Sequence, residues 1–164
     1  MTLREDALYA SYRRLEGPLF NVLYRQLWQR EDCQDVIHDA YVRIWDRRAK
    51  VDATTLNALV WTTALNLARN RLRWRRLWRH VELDEEMPSG VSTTDGDFLA
   101  IRKVRVALSQ LPAVSRDVLL LSEFSGLRGN EIATVLNIPA GTVASRKHHA
   151  MARLKLLLGD IVDA

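Results

Sequence analysis

The run SQLPAVSRDVLLLSEFSGLRGNEIATVLNIPAGTVASRKHHAMARLKLLL, Ser109 to Leu158, decides how this chain is read. Its apolar residues recur at helical spacing, with two interruptions. Val118, Leu119 and Leu121 form one short apolar face before Gly126 breaks it. Glu131 to Leu136 predicts a second short helix, with Ile132, Ala133, Val135 and Leu136 turned inward. Asn137-Ile138 is a tight connection. Pro139 then falls where a first-turn proline is tolerated, because its missing N–H would have no partner there. The helix that follows sends Val143, Ala150, Leu154 and Leu157 toward a core. Ser145, Arg146, Lys147, His148, His149 and Arg153 lie on its outer face. Two helices at a sharp angle, the second basic outside, predict a helix-turn-helix.

Working outward, a chain of 164 residues with 48% hydrophobic content has material for one domain or two small ones. No run is long and apolar enough to cross a membrane. Met1 leads into Arg4, Glu5 and Asp6, which reads as a start without a secretory leader. The one cysteine, Cys33, has no disulfide partner and no companions for a zinc site. These features point to the cytoplasm. The net charge is +4, but its distribution says more. No acid occurs between Asp52 and Glu82, and that interval ends in the run Arg69 to His80. Concentrated positive charge suits a polyanion. Arginine interleaved with Trp74 and Trp78 fits phosphates and unstacked bases better than a lipid surface, because the apolar face is too interrupted for a membrane helix.

From the start of the chain, Leu8, Tyr12 and Leu15 predict a short helix that Gly17-Pro18 ends. Leu19, Phe20, Leu23 and Leu27 predict a second one. Within Asp32–Trp45, Val36, Ile37, Ala40, Tyr41, Ile44 and Trp45 form an apolar stripe, which leaves Asp35, His38, Asp39 and Arg43 exposed. After a polar loop, Arg47–Thr55, a long helix is expected to bury Leu56, Leu59, Val60, Thr63 and Leu67. Val81–Asp97 is acidic and aperiodic, which predicts a flexible linker. Helical pattern resumes at Phe98, Ile101, Val104, Leu108 and Leu111. With no strand-like alternation, the fold class is all-α: two small helical domains, 1–80 and 98–164, joined by a linker over 81–97.

Leu111-Pro112, Arg116–Leu121, Glu131-Ile132-Ala133 and Gly141–Arg146 together resemble the fourth region of bacterial sigma factors, most of all the extracytoplasmic-function group. Asp32–Trp45 resembles the second region of the same family, and Leu59–Arg73 the helix that follows it. The two matches, in the family's order, cover most of the chain. The resemblance implies a transcription initiation factor with no catalytic residues, no cofactor and no metal. Its partners would be core RNA polymerase, promoter DNA and, commonly in the family, an anti-sigma factor.

The same resemblance implies roles for particular residues. Asp35, His38, Asp39 and Arg43 would face the polymerase clamp helices. Asn66, Arg69, Asn70, Arg73 and Arg76 would face the upstream promoter element, with Trp61 along its edge. Asn66 and the Arg47–Thr55 loop would hold an extruded base. On the recognition helix, Thr142 would meet phosphate at the helix start. Ser145, Lys147, His148 and His149 would reach base edges, and Arg146 would reach phosphate or pack against its own domain. Gln34, His38, Asn70, Arg128, Ala144 and His149 depart from the family's usual residues. These departures bear on the strength of the polymerase contact, the start of the Glu131 helix and the promoter sequence.

Two other classes compete. A helix-turn-helix regulator that never loads polymerase would leave Asp35, Asp39 and Arg43 without a purpose. An enzyme would need more than Asp35, His38 and Asp39 on one helical face. Those are metal-donor types, but no further His/Cys cluster, phosphate loop or nucleophile motif accompanies them.

Overall fold

The computed structural model describes residues 2–78 and 95–163, with side chains over 2–78 and 97–159. The chain divides into two compact units, Met1–Ser89 and Gly90–Ala164. Every regular element among the described residues is helical. Most of the linker expected over Val81–Asp97 lies outside the described residues, and its last three already belong to a helix.

In the first unit, α1 (Glu5–Leu27), α2 (Arg30–Asp46) and α3 (Leu56–Trp78) pack mutually. The predicted break at Gly17-Pro18 does not occur, and α1 runs straight through Pro18. Leu15, Leu19, Val22, Leu23 and Leu27 bury one continuous stripe on both sides of the proline. At about 1.5–3 kcal/mol per buried side chain, that stripe outweighs the cost of an interior proline, about 3 kcal/mol. The helix stops at Trp28, whose left-handed backbone (φ 57°) turns its N–H onto the Tyr24 carbonyl oxygen at 2.7 Å.

The buried stripe of α2 is as expected, with Cys33 added and Trp45 only half-buried. That of α3 is rotated from the expectation. It consists of Leu56, Val60, Trp61, Ala64, Leu65 and Ala68, while Leu59 is exposed and Thr63 and Leu67 stand at the flank. The small side chains of Ala64 and Ala68 and the large Trp61 ring are all fully enclosed on this face. Ser11 ties the three helices together: its hydroxyl donates to Asn57 Oδ1 at 3.0 Å and shares a hydrogen bond with the Tyr41 hydroxyl at 3.0 Å.

The second unit contains α4 (Asp95–Gln110), α5 (Ala113–Phe124), α6 (Gly129–Leu136) and α7 (Ala140–Asp163). Helix α7 packs against the other three around Leu108, Leu111, Val118, Leu121, Ile132, Val143 and Ala150. Gly126, at φ +75°, makes the turn out of α5 in a conformation that glycine adopts freely. Arg128 caps α6, and its N–H donates to Glu131 Oε1 at 2.9 Å. Only this half of a reciprocal capping box can form, because a guanidinium has no acceptor. Asn137, left-handed at φ 55°, closes α6 as the Ile138 N–H reaches the Ala133 carbonyl oxygen at 3.0 Å. Pro139 precedes the first helical residue of α7 instead of occupying the first turn. From there its carbonyl accepts from the N–H groups of Thr142 and Val143 at 3.0 and 3.3 Å.

Candidate nucleic-acid interface

Helix α2 buries Val36, Ile37, Ala40, Tyr41 and Ile44, which forces Asp35, His38, Asp39 and Arg43 to the exposed side, as expected. Among the described residues no group of His, Cys, Asp and Glu is placed to hold a metal ion. The two carboxylates have a neighbour that the sequence reading missed. Arg71 Nη2 lies 3.8 Å from Asp35 Oδ2 and 4.0 Å from Asp39 Oδ2. Both pairs are too long for hydrogen bonds, so the acceptor positions of Asp35 and Asp39 stay open toward solvent.

The arginine run of α3 divides by helical phase. Asn66, Asn70, Arg73 and Arg76 are exposed and Arg69 is half-exposed, all along one side of the helix. Arg71 and Arg75 turn the other way. Arg71 Nη1 donates to Asp32 Oδ1 at 2.9 Å, and Arg75 Nη2 donates to Asp32 Oδ2. Arg75 also donates to the Leu27 carbonyl oxygen at 2.7 Å and to Gln29 Oε1 at 3.1 Å. Part of the charge density read as a polyanion surface is therefore internal structure. The i, i+4 spacing of Arg71 and Arg75 was visible in the sequence, but their counter-charge on another helix was not. Trp61 does not edge this face. It is 1% exposed in the core.

The Arg47–Thr55 segment is internally organised. Arg48–Lys50 form a 3-10 turn, and the Arg48 guanidinium lies 4.3 Å over the Trp45 ring. Asp52 Oδ1 accepts the Thr54 N–H at 2.9 Å, and that bond lowers the Asp52 pKa from its ordinary value.

On α7, Ser145, His148 and His149 are exposed at i, i+3, i+4 spacing, with the two imidazoles edge-on at 5.7 Å. Ser145 Oγ donates to the Thr142 carbonyl oxygen at 3.2 Å. Lys147 Nζ lies 3.5 Å from Glu123 Oε1 on α5, which draws it partly away from the outer face. Arg146 and Thr142 are half-buried. Since the Thr142 N–H is used by Pro139, the amides left for an anion at the start of α7 are those of Ala140 and Gly141.

A short helix, a tight left-handed turn and a longer helix with Ser145, His148, His149 and Arg153 outward define a helix-turn-helix DNA-binding module. Residues 101–154 match the family model described as "Sigma-70, region 4". The extracytoplasmic-function RNA polymerase sigma factor SigL of Mycobacterium tuberculosis is 29% identical over 157 residues, covering 93% of this chain and 89% of SigL. Among solved structures, CnrH in complex with the cytosolic domain of CnrY superposes with a TM-score of 0.73 at 24% identity, over 96% of this chain and 90% of that one. The sigma factor RpoE of Bartonella quintana, in complex with the anti-sigma factor NepR, gives 0.69 at 20% identity, over 92% and 96%. The two structural likenesses concern the fold. Residues 101–154 thus carry a sigma-70 region 4 module, and over 93% of its length the chain is similar to an extracytoplasmic-function RNA polymerase sigma factor.

Proposed function

We propose that the first unit docks on core RNA polymerase through α2 and reads the upstream melting element through α3, while the second unit reads the distant promoter element through α7. The observation that carries this reading is the sorting of charge on one three-helix unit. Exposed carboxylates Asp35 and Asp39 line α2, and Arg69, Arg73 and Arg76 line one side of α3. A cationic polymerase surface meets the first row and DNA phosphate the second. Each match of opposite potential steers association and excludes wrong partners. Asn66 and Asn70, on the same side of α3, supply amide donors and acceptors for bases exposed on opening. On α7, Ser145, His148 and His149 reach base edges, and the Ala140 and Gly141 amides take a phosphate.

The protein works by binding alone, with no chemistry of its own, in the cytoplasm where polymerase and promoter are. Among the described residues no helix is long and apolar enough to cross a membrane. An anti-sigma protein that covers these faces is a further partner, in keeping with the RpoE–NepR complex. Run-off transcription with core polymerase on a library of randomised promoters tests the proposal. Transcripts should depend on this chain and share a common upstream sequence. No stimulation, together with failure to co-purify with core polymerase, refutes it.

A further inference from the structure

Ala68 is the last buried residue of α3, yet the helix continues to Trp78. This overhang spans about 15 Å at 1.5 Å per residue. Trp74, Leu77 and Trp78 within it are 60%, 63% and 65% exposed, so its large apolar side chains near the end do not hold it in place. Arg69 with Arg73, and Arg71 with Arg75, also set like charges one turn apart, which weakens the helix.

Asp32 restrains this segment. Its two oxygens each take one arginine, Arg71 on Oδ1 and Arg75 on Oδ2. The Arg75 fork adds the Leu27 carbonyl at the end of α1 and Gln29 in the connection to α2. The site is partly shielded, with the side chains of Asp32, Arg71 and Arg75 21%, 34% and 24% exposed. One carboxylate thus fastens the overhang to the corner between α1 and α2, a single turn from the Asp35–Asp39 row.

We infer that Asp32 is a positioning residue: by gripping Arg71 and Arg75 it sets the direction of the α3 overhang, and so the place of Arg69, Arg73 and Arg76 relative to the docking row. The inference rests on the function proposed above, in which polymerase holds one row while DNA meets the other. A swing of roughly 20° at Ala68 would carry the far end about 5 Å, well beyond what a phosphate contact tolerates. Both oxygens of Asp32 are engaged by these arginines, so it acts through them.

The test uses Asp32→Asn, which keeps the shape and removes the charge, in the full chain assembled with core polymerase. Assembly affinity should stay within about twofold of wild type, because the α2 face is unchanged. Open promoter complexes should decay about tenfold faster, the effect of losing charge-assisted hydrogen bonds that hold a binding group in place. In the free protein, amide exchange should accelerate over 69–78 and not over 56–68. Asp32→Glu should restore most of the lifetime, and Asp32→Asn should add nothing in an Arg71→Gln/Arg75→Gln background. Unchanged lifetime despite faster exchange overturns the inference, as does an assembly affinity that falls in step with lifetime. If Asp32→Asn does not fold, Arg75→Lys, which keeps the charge but loses the fork, should give the same split. A wild-type chain that fails to assemble refutes the proposed function instead, and exchange in the free protein still reads the grip of Asp32.

Discussion

Tyr41 and Cys33 show how single buried groups couple this fold to pH. Tyr41 is 7% exposed. Burial pushes its phenol from 10.0 up to about 12; the Ser11 hydrogen bond opposes the shift and nearby Tyr12 adds to it. Burial likewise raises the Cys33 thiol from 9.0 to about 12, with the Asp32 charge adding to the effect and Arg75 opposing it. Both groups keep their protons in the fold at a pH where the unfolded chain has released them. Their stabilising contribution is therefore complete below pH 9 and is lost as pH rises toward 12, first through Cys33 and from pH 10 through Tyr41 as well. The urea midpoint should fall between pH 9 and pH 11, and Cys33→Ala/Tyr41→Phe should flatten that fall. Equal slopes for wild type and the double variant would contradict this account. Neither group was legible as a titrating element from sequence. The stripe through Tyr41 was plain, but its hydroxyl partner lies on α1, and Cys33, in phase with that stripe one turn earlier, gave no sign of how its thiol would titrate.

At the scale of elements, interior packing overrules local breakers. Gly17-Pro18 reads as a helix end, and only the unbroken burial of Leu15, Leu19, Val22 and Leu23 carries α1 through it. The cost remains in the fold. Replacing Pro18 with Ala should therefore stabilise the protein by about 1–3 kcal/mol, less whatever the half-buried ring contributes by packing. Urea unfolding followed by tryptophan fluorescence measures this, and a net destabilisation would mean that ring packing dominates. Boundaries around α6 and α7 were closer to the sequence reading, because capping chemistry is local. Glu131 caps from three residues away and Asn137 adopts the left-handed turn that its type tolerates. The rotated stripe of α3 is the opposite case. Leu59 and Leu67 are the more obvious apolar residues, yet the side that carries Ala64 and Ala68 is the one the packing buries.

At the largest scale, the acidic row of α2 and the arginine run of α3 stand on different helices of the first unit and are partly joined through Arg71. Reversing Asp35 and Asp39 to Lys would set two cations beside Arg71, which lies within 4.0 Å of both, so the neutral change is the cleaner probe. Asp35→Asn/Asp39→Asn should weaken co-purification with core polymerase while leaving thermal stability within about 1 kcal/mol, as expected for exposed ion pairs. Arg69→Ala/Arg73→Ala/Arg76→Ala should spare that assembly and reduce the salt dependence of promoter binding, by about 0.9 in log–log slope for each duplex phosphate the variant no longer neutralises. If both variants impair the same function, the two rows are not separate surfaces. The sequence alone determined the all-α class, the helix-turn-helix from Ser109 to Leu158, the exposed face of α2 and, on α7, the exposure of Ser145, His148, His149 and Arg153. Each of these follows from a period of 3.6 residues in a single segment, which needs no knowledge of any other segment. Only the tertiary structure decided which arginines face outward. Asp32 meets Arg71 and Arg75 across 39 and 43 residues of chain, and helix packing makes that pairing. A linear run of like charges does not record where its counter-charge will be.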